Sequence, residues 1–206
     1  FVSLYVGTGV GFLPGGNPTA NPETDVDPGF APTIAHVLFD FGVRITDAAQ
    51  LGIYFRWQFA PSQDFADITL EGGGFPGTDE ECLGLGLAGD CLLGLKYKWF
   101  FKADGPVRAY SSIGTGVGRV RNWLQLRENA SSSLCDGREV IDNTEGPDYC
   151  YIRDTVRAGW FHAGIGGGVA IPLTDFLDFQ ADTYLMFHLP DTSINLDLAA
   201  GFNFRF

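Results

Sequence analysis

The chain has 206 residues, which is enough for one domain. Its formal net charge of −12 argues against a nucleic-acid partner, since nucleic-acid binding needs clustered cations to neutralise phosphates. No window holds about 18 consecutive apolar residues, so the sequence predicts no transmembrane helix. With 28 Gly, 18 Phe and one Met, and with little helical periodicity, the composition is typical of an all-β protein.

Seven segments ahead of the C-terminal stretch alternate apolar residues with polar or small ones. Because successive side chains of a strand point to opposite faces, each segment predicts a strand with one apolar face. The alternation becomes indistinct beyond Gly118, inside the fifth segment, as expected where a strand leaves a membrane. The predicted strands are residues 1–12, 34–46, 50–60, 91–102, 107–126, 155–171 and 176–189.

The eighth predicted strand, residues 193–206, has the most regular alternation in the chain. It exceeds the usual strand of about 5–6 residues and is long enough for a tilted bilayer crossing of about 9–11 residues. The pattern Gly201-x-x-Phe204-x-Phe206 resembles the C-terminal assembly signal of bacterial outer-membrane barrels, although Ala199 stands where that signal is usually polar. Its apolar face consists of Ile194, Leu196, Leu198, Ala200, Phe202, Phe204 and Phe206.

The connections between the predicted strands differ in length in a regular way. Short turns are predicted at residues 47–49, 103–106 and 172–175, and long polar loops at residues 13–33, 61–90 and 127–154. Short turns on one side and long loops on the other are typical of outer-membrane barrels. The pattern of the whole chain resembles the small eight-stranded barrels of the OmpA, OmpX and OmpW types.

This resemblance implies a single domain over residues 1–206, an eight-stranded antiparallel up-and-down transmembrane β-barrel with long extracellular loops. It implies the outer membrane of a Gram-negative bacterium, with both termini periplasmic and with a signal peptide removed before Phe1. Expected partners are outer-membrane lipid and lipopolysaccharide, and the barrel-assembly machinery during insertion. The alternative is a soluble β-protein with an apolar last strand.

In such a barrel the apolar faces contact lipid and the polar faces line the lumen. An eight-stranded interior is just wide enough for side chains, so inward charges should pair and fill it. The alternative is a conducting pore lined with cations. The predicted lumen network contains seven cations and four acids, namely Arg44, Arg56, Lys96, Lys98, Lys102, Arg108, Arg205, Asp40, Asp178, Asp182 and Asp197.

The four cysteines predict disulfides, because an exported protein with an even number of cysteines usually oxidises them. They lack the spacing of a zinc site, and no His pair lies close to them. Four cysteines allow three pairings. We predict the local pairing, Cys82 with Cys91 and Cys135 with Cys150, because each of these pairs lies at the ends of one loop.

The glycine-rich runs at residues 7–11, 114–118 and 164–168 do not indicate nucleotide binding, because no P-loop lysine and no helix follow them. We expect these glycines to make room in the lumen for Tyr5, Tyr54, Tyr110 and Trp160. His36, His162 and His188 are the candidates for an enzymatic base, yet no His-x-Ser arrangement accompanies them. The chain is therefore predicted not to be an enzyme, with no metal and no cofactor.

The three long loops contain 17 of the 25 acidic residues. These carboxylates lack the regular spacing of a calcium site. The sequence predicts that the barrel displays disulfide-braced acidic loops for surface contact, adhesion or docking into a cell-envelope assembly, with a possible protein partner there. The alternative function is a narrow channel for small solutes.

Overall fold

The alternating segments form strands, and eight of these close into a barrel. The computed structural model describes residues 1–12, 30–59, 63–65, 68–72, 90–102, 105–137, 140–143, 146–157, 160–190 and 192–206. Its strands are β1 (Val2–Phe12), β2 (Phe30–Thr46), β3 (Ala49–Phe59), β4 (Gln63–Phe65), β5 (Ile68–Gly72), β6 (Asp90–Phe100), β7 (Arg108–Gly118), β8 (Arg121–Asn129), β9 (Tyr149–Arg157), β10 (Phe161–Pro172), β11 (Leu177–Leu189) and β12 (Ser193–Phe204).

The closed barrel consists of β1, β2, β3, β6, β7, β10, β11 and β12. Each strand pairs antiparallel with the next barrel strand along the chain, and β12 pairs with β1 from Val2↔Phe204 to Phe12↔Ile194. The up-and-down barrel predicted from the sequence is therefore confirmed. None of the described helical segments is long and apolar enough to cross a membrane.

The two ends of the barrel are different. One end, the turn end, contains the start of β1, the end of β12 and the brief connections β2–β3, β6–β7 and β10–β11. The opposite end, the loop end, contains the connections β1–β2, β3–β6, β7–β10 and β11–β12. All three connections at the turn end are brief, whereas three of the four at the loop end are long and only β11–β12 is brief.

The faces of the strands follow the sequence alternation. Along β12, Ser193, Asn195, Asp197 and Asn203 are buried, whereas Leu198, Phe202 and Phe204 are exposed. In β11 the inward positions from Asp178 to His188 are all buried. The barrel therefore has an apolar outer wall and a polar interior, the reverse of a soluble β-barrel.

The long connections were predicted to be polar loops, but two of them contribute strands to a second sheet. Its order is β4-β5-β8-β9, in the part of the chain that the structure describes. The pairs from Ile68↔Leu126 to Gly72↔Asn122 join β5, from one long connection, to β8, from another. The barrel strand β2 contacts β5, β8 and β9 near the loop end. We therefore refer to β4, β5, β8 and β9 as the loop-end sheet.

Gly118 marks where the chain leaves the barrel. Two segments that were each predicted as one strand are divided in the structure, and the first divides at Gly118. Its φ of 139° lies in a region that favours glycine, and a Cβ there would lie 2.1 Å from the Cys91 carbonyl oxygen. The segment predicted as one strand over residues 107–126 is therefore β7 followed by β8. Likewise, the segment predicted over 155–171 combines the end of β9 with β10.

Candidate functional site

The candidate site comprises the filled lumen of the barrel and the loop-end sheet above it. The lumen side chains form three layers of charge pairs. In the middle layer, Lys98 Nζ lies 2.7 Å from Asp40 Oδ2 and donates a 2.8 Å hydrogen bond to the Tyr5 hydroxyl. The Tyr5 hydroxyl in turn donates to the Gln180 amide oxygen. Lys98 also lies over the rings of Tyr5 and Tyr110, at 5.1 and 5.5 Å from their centroids.

Lys96 completes the middle layer from the neighbouring inward position of β6. Its Nζ lies 3.5 Å from Asp182 Oδ2 and 3.9 Å from Asp40 Oδ2. The rings of Tyr54 and Tyr184 flank it, with centroids 5.1 and 4.9 Å away. Carboxylates and ring faces together surround the two ammonium groups, and such contacts compensate for lost hydration.

The layer nearest the turn end centres on Asp178. Its Oδ2 lies 2.6 Å from Arg108 Nη2, and its Oδ1 lies 3.1 Å from Arg205 Nη2. Asn203 Nδ2 donates to Asp178 Oδ2 at 3.2 Å, while Ser3 Oγ donates to Asn203 Oδ1 at 2.8 Å. One buried carboxylate thus joins cations from β7 and from the residue after β12.

The layer nearest the loop end centres on Arg56. Its Nε and Nη2 donate to the two oxygens of Asp197, at 2.6 and 3.1 Å, and its Nη1 donates to Gln58 at 2.8 Å. His36 Nδ1 lies 3.2 Å from Arg56 Nη2. The guanidinium is fully buried, and its fork geometry matches the carboxylate.

The three histidines are buried in this half of the lumen and do not line an exposed cleft. His162 Nε2 hydrogen-bonds the Tyr54 hydroxyl, and the rings of His162 and His188 lie 5.4 Å apart between centroids. Among the described residues, no group of three or more His, Cys, Asp or Glu side chains is arranged to hold a metal ion.

The layers leave the interior close to neutral. In the described part of the chain, the charged side chains that point inward are Arg56, Lys96, Lys98, Arg108 and the partly exposed Arg205, opposite Asp40, Asp90, Asp178, Asp182 and Asp197. Sequence reasoning placed Asp90 in a loop, but it begins β6 and is buried. Five cations therefore oppose five acids, whereas the sequence predicts seven and four.

Arg44 and Lys102 account for the excess of predicted cations. Both are exposed at the turn end, so the prediction that they belong to the lumen network is wrong. Arg44 lies close to the β2–β3 turn, and Lys102 lies two residues beyond the end of β6. Both positions lie beyond the Asp178 layer, where the inward face of a strand opens to solvent.

Tyrosines fill the space that the lumen glycines leave. A Cβ on Gly168 would lie 2.6 Å from the Tyr110 hydroxyl, and one on Gly94 would lie 2.7 Å from the Tyr54 ring. Trp160, which was expected in the lumen, is exposed just before β10, and Tyr184 occupies the interior instead. Tyr184 was not among the aromatic residues that the glycines were expected to accommodate, although its position on the inward face of β11 was a usable signal.

The residues of the predicted assembly signal lie on the two faces of β12 and its end. Gly201 is buried, and a Cβ there would lie 2.0 Å from the Leu4 carbonyl oxygen of β1. Phe204 points outward, and Phe206 is 94% exposed. The strand pair that closes the barrel thus depends on close backbone approach at Gly201.

The loop-end sheet is braced at the tip of the β8–β9 hairpin. Cys135 and Cys150 form a disulfide with Cα atoms 5.8 Å apart, and both are buried. Cys135 lies in a short 3-10 turn, Ser133–Cys135. Cys91 is also disulfide-bonded, but Cys82, its predicted partner, lies outside the described residues, as does the loop at 13–29.

The fold is similar to that of small outer-membrane proteins. Neisserial surface protein A matches with a TM-score of 0.52 and 14% identity, over 100% of this chain and 96% of that one. OprG from Pseudomonas aeruginosa (0.44, 8% identity, 100% and 95%) and Ail, the attachment invasion locus protein of Yersinia pestis (0.42, 9%, 100% and 97%), also match. No family model and no curated sequence matches the chain. At these identities the similarity shows the fold alone.

Proposed function

We propose that this eight-stranded barrel of the outer-membrane type spans the outer membrane and displays its loop-end sheet outside the cell for contact with a basic partner. In this orientation the turn end and both termini face the periplasm. Outer-membrane lipid and lipopolysaccharide surround the barrel, and the barrel-assembly machinery inserts it. The lumen carries no solute.

The outer wall supports insertion into a bilayer. Residues at mid-height of the strands, such as Ile113 and Leu95, are apolar and exposed. Exposed aromatic residues flank them near both ends, with Trp99, Phe101 and Phe176 towards the turn end and Trp160, Phe161 and Phe187 towards the loop end. An apolar band between two aromatic girdles is the surface that transmembrane barrels present to lipid.

The layered lumen argues against the alternative function, a channel. Each buried cation of the three layers contacts a buried carboxylate, and tyrosine rings occupy the space between the layers. Opening a path through them would leave buried charges without partners, which costs several kcal/mol for each ion.

The pairing of β5 with β8 is the observation that carries the proposal. A barrel of this size does not need long loops to fold, and loops are where binding residues concentrate. Here two long connections form one sheet, and a disulfide braces the hairpin tip. Such bracing reduces the ordering cost of a later binding event. The acidic loops favour a basic partner and salt-sensitive association.

The proposal is tested by replacing residues 60–89 and 119–160 with short turns. The shortened protein should remain a heat-modifiable barrel in detergent, migrating faster on gels when unheated, but lose any protein that co-purifies from native membranes. A variant shortened only at residues 13–29 keeps the loop-end sheet and serves as the matched control. If the doubly shortened barrel kept its partner, the contact would lie on the lipid-facing wall or at the turn end, and the proposal would fail.

A further inference from the structure

A disulfide and backbone hydrogen bonds tie together the tip of the β8–β9 hairpin. Besides the Cys135–Cys150 disulfide, Ile141 N donates to Tyr149 O at 2.7 Å and Tyr149 N donates to Ile141 O at 3.2 Å. Ala130 N donates to Asp148 O at 2.9 Å. Backbone pairing and the covalent bond therefore fix the start of β9 against the end of β8.

One face of this tip presents two tyrosines and an arginine. Tyr149 and Tyr151 flank Cys150 in β9, so their side chains lie on the face opposite to the disulfide, and Arg127 pairs with Tyr151 in the register. The two rings meet edge to face, 5.3 Å apart between centroids. Tyr151 is 41% exposed. We call these three residues the tyrosine face.

Within the tyrosine face, the Tyr149 ring already binds the guanidinium of Arg127. Arg127 Cζ lies 3.7 Å from the centroid of the Tyr149 ring. This distance is well within the roughly 6 Å over which an aromatic ring attracts a cation. The tip thus displays in its own structure the contact that a foreign arginine would make with the exposed Tyr151 ring.

The hairpin tip that carries the tyrosine face is negatively charged, opposite in sign to a guanidinium. From residue 127 to 151 the sequence has six acidic residues and two arginines. Among the described ones, Asp136, Asp142 and Asp148 are exposed. Exposed carboxylates and aromatic rings on one hairpin tip suit arginine, whose guanidinium can stack on a ring and can donate to an acid.

We infer that the tyrosine face, on a hairpin tip that also carries the exposed Asp136 and Asp142, is the contact surface for an arginine-bearing segment of a partner protein. This inference rests on the proposed function and deepens it by naming the surface and the side chain that it recognises. Tyrosine and arginine, together with tryptophan, are enriched where binding energy concentrates in protein interfaces. The negative charge of the tip favours this occupant over an uncharged glycan, which needs no carboxylates in excess.

The test uses the full-length protein in nanodiscs, with deca-arginine as the probe and its affinity measured by calorimetry. The double variant Tyr149→Ala/Tyr151→Ala should bind deca-arginine about two- to fivefold more weakly, from the loss of one exposed cation–π contact at Tyr151. Tyr149→Phe/Tyr151→Phe keeps both rings and should stay within about twofold of the wild type. Wild type should bind deca-arginine more tightly than deca-lysine, and the alanine variant should lose this preference.

Two controls separate ring recognition from plain charge attraction. Asp136→Asn/Asp142→Asn should weaken binding and reduce its salt dependence but retain the preference for arginine over lysine. Asp47→Asn/Asp175→Asn removes two exposed acids at the turn end and should leave the affinity unchanged. Heat-modifiability on gels and an intact Cys135–Cys150 crosslink confirm that each variant is folded.

The outcomes distinguish this inference from the proposed function. If the alanine variant binds deca-arginine like wild type, while the barrel shortened at residues 60–89 and 119–160 loses it, the loops bind cations but the tyrosine face does not, and the inference is overturned. If the shortened barrel also retains the probe, the basic-partner proposal itself fails. Tyrosine-dependent binding of a neutral oligosaccharide without binding of deca-arginine would likewise overturn the choice of occupant.

Discussion

Arg56 and Asp197 lie 141 residues apart in the chain and meet inside the barrel as a two-pronged ion pair, with Nε–Oδ2 at 2.6 Å and Nη2–Oδ1 at 3.1 Å. Arg56 comes from β3 and Asp197 from β12, strands that are not neighbours in the sheet. The pair therefore spans the lumen, and it forms only when the barrel is closed.

The first prediction concerns this pair. Asp197→Ala leaves the Arg56 guanidinium buried without its main partner, and we expect the free energy of unfolding to fall by about 3–5 kcal/mol. The double variant Arg56→Met/Asp197→Leu removes both charges and should recover most of that loss. Urea unfolding from liposomes, followed by tryptophan fluorescence, measures the difference.

Arg44→Ala is the matched control, because this arginine is exposed at the turn end, and a surface change should alter stability by less than about 0.5 kcal/mol. A loss for Asp197→Ala no larger than that of Arg44→Ala would show that the ion pair contributes nothing to closure.

The second prediction tests the lipid-facing wall along one strand. Ile113, at mid-height of β7, is 59% exposed, and Val107, just before β7 at the turn end, is 52% exposed. In a bilayer, Ile113→Arg should destabilise the barrel by about 2–4 kcal/mol, while Val107→Arg should cost about 0–1 kcal/mol. Folding titrations into liposomes give both values, and equal effects at the two depths would contradict a membrane-spanning wall.

The third prediction concerns the disulfide of the hairpin tip. Cys135→Ser/Cys150→Ser should destabilise the tip by about 3 kcal/mol. The reason is that the disulfide no longer closes a loop of about 15 residues when the tip is unfolded. The barrel should keep its heat-modifiability, whereas limited proteolysis should cut the tip much faster. A peptide map that joined Cys135 or Cys150 to a cysteine of the other long loop would refute the pairing.

The fourth prediction concerns conduction. Planar-bilayer recordings of the wild type should show little or no steady conductance, because paired charges and tyrosines fill the lumen. Removing two neutral pairs together, as Arg56→Ala/Asp197→Ala with Lys98→Ala/Asp40→Ala, should open a water-filled path and raise the conductance. Arg44→Ala/Asp47→Ala at the turn end should not. Regular large openings of the wild type would instead support the channel function.

The sequence by itself determined which way most strand residues point. The alternation of β12 predicted a buried Asp197 beside an exposed Leu198, because facing is a local property with a period of two residues. The same rule assigned Asp40, Lys98 and Asp178 to the interior. The number of barrel strands and the asymmetry of the connections followed from the spacing of turn residues and needed no knowledge of contacts.

Only the tertiary structure decided which inward residues meet. The partner of Arg56 depends on the tilt and stagger of all eight strands, which closure imposes on the barrel as a whole. Arg44 and Lys102 obey the alternation yet are exposed, since height along the barrel is set by neighbouring strands and not by the residue's own segment. The pairing of β5 with β8 was equally hidden, because backbone hydrogen bonds between distant loops leave no period in the sequence.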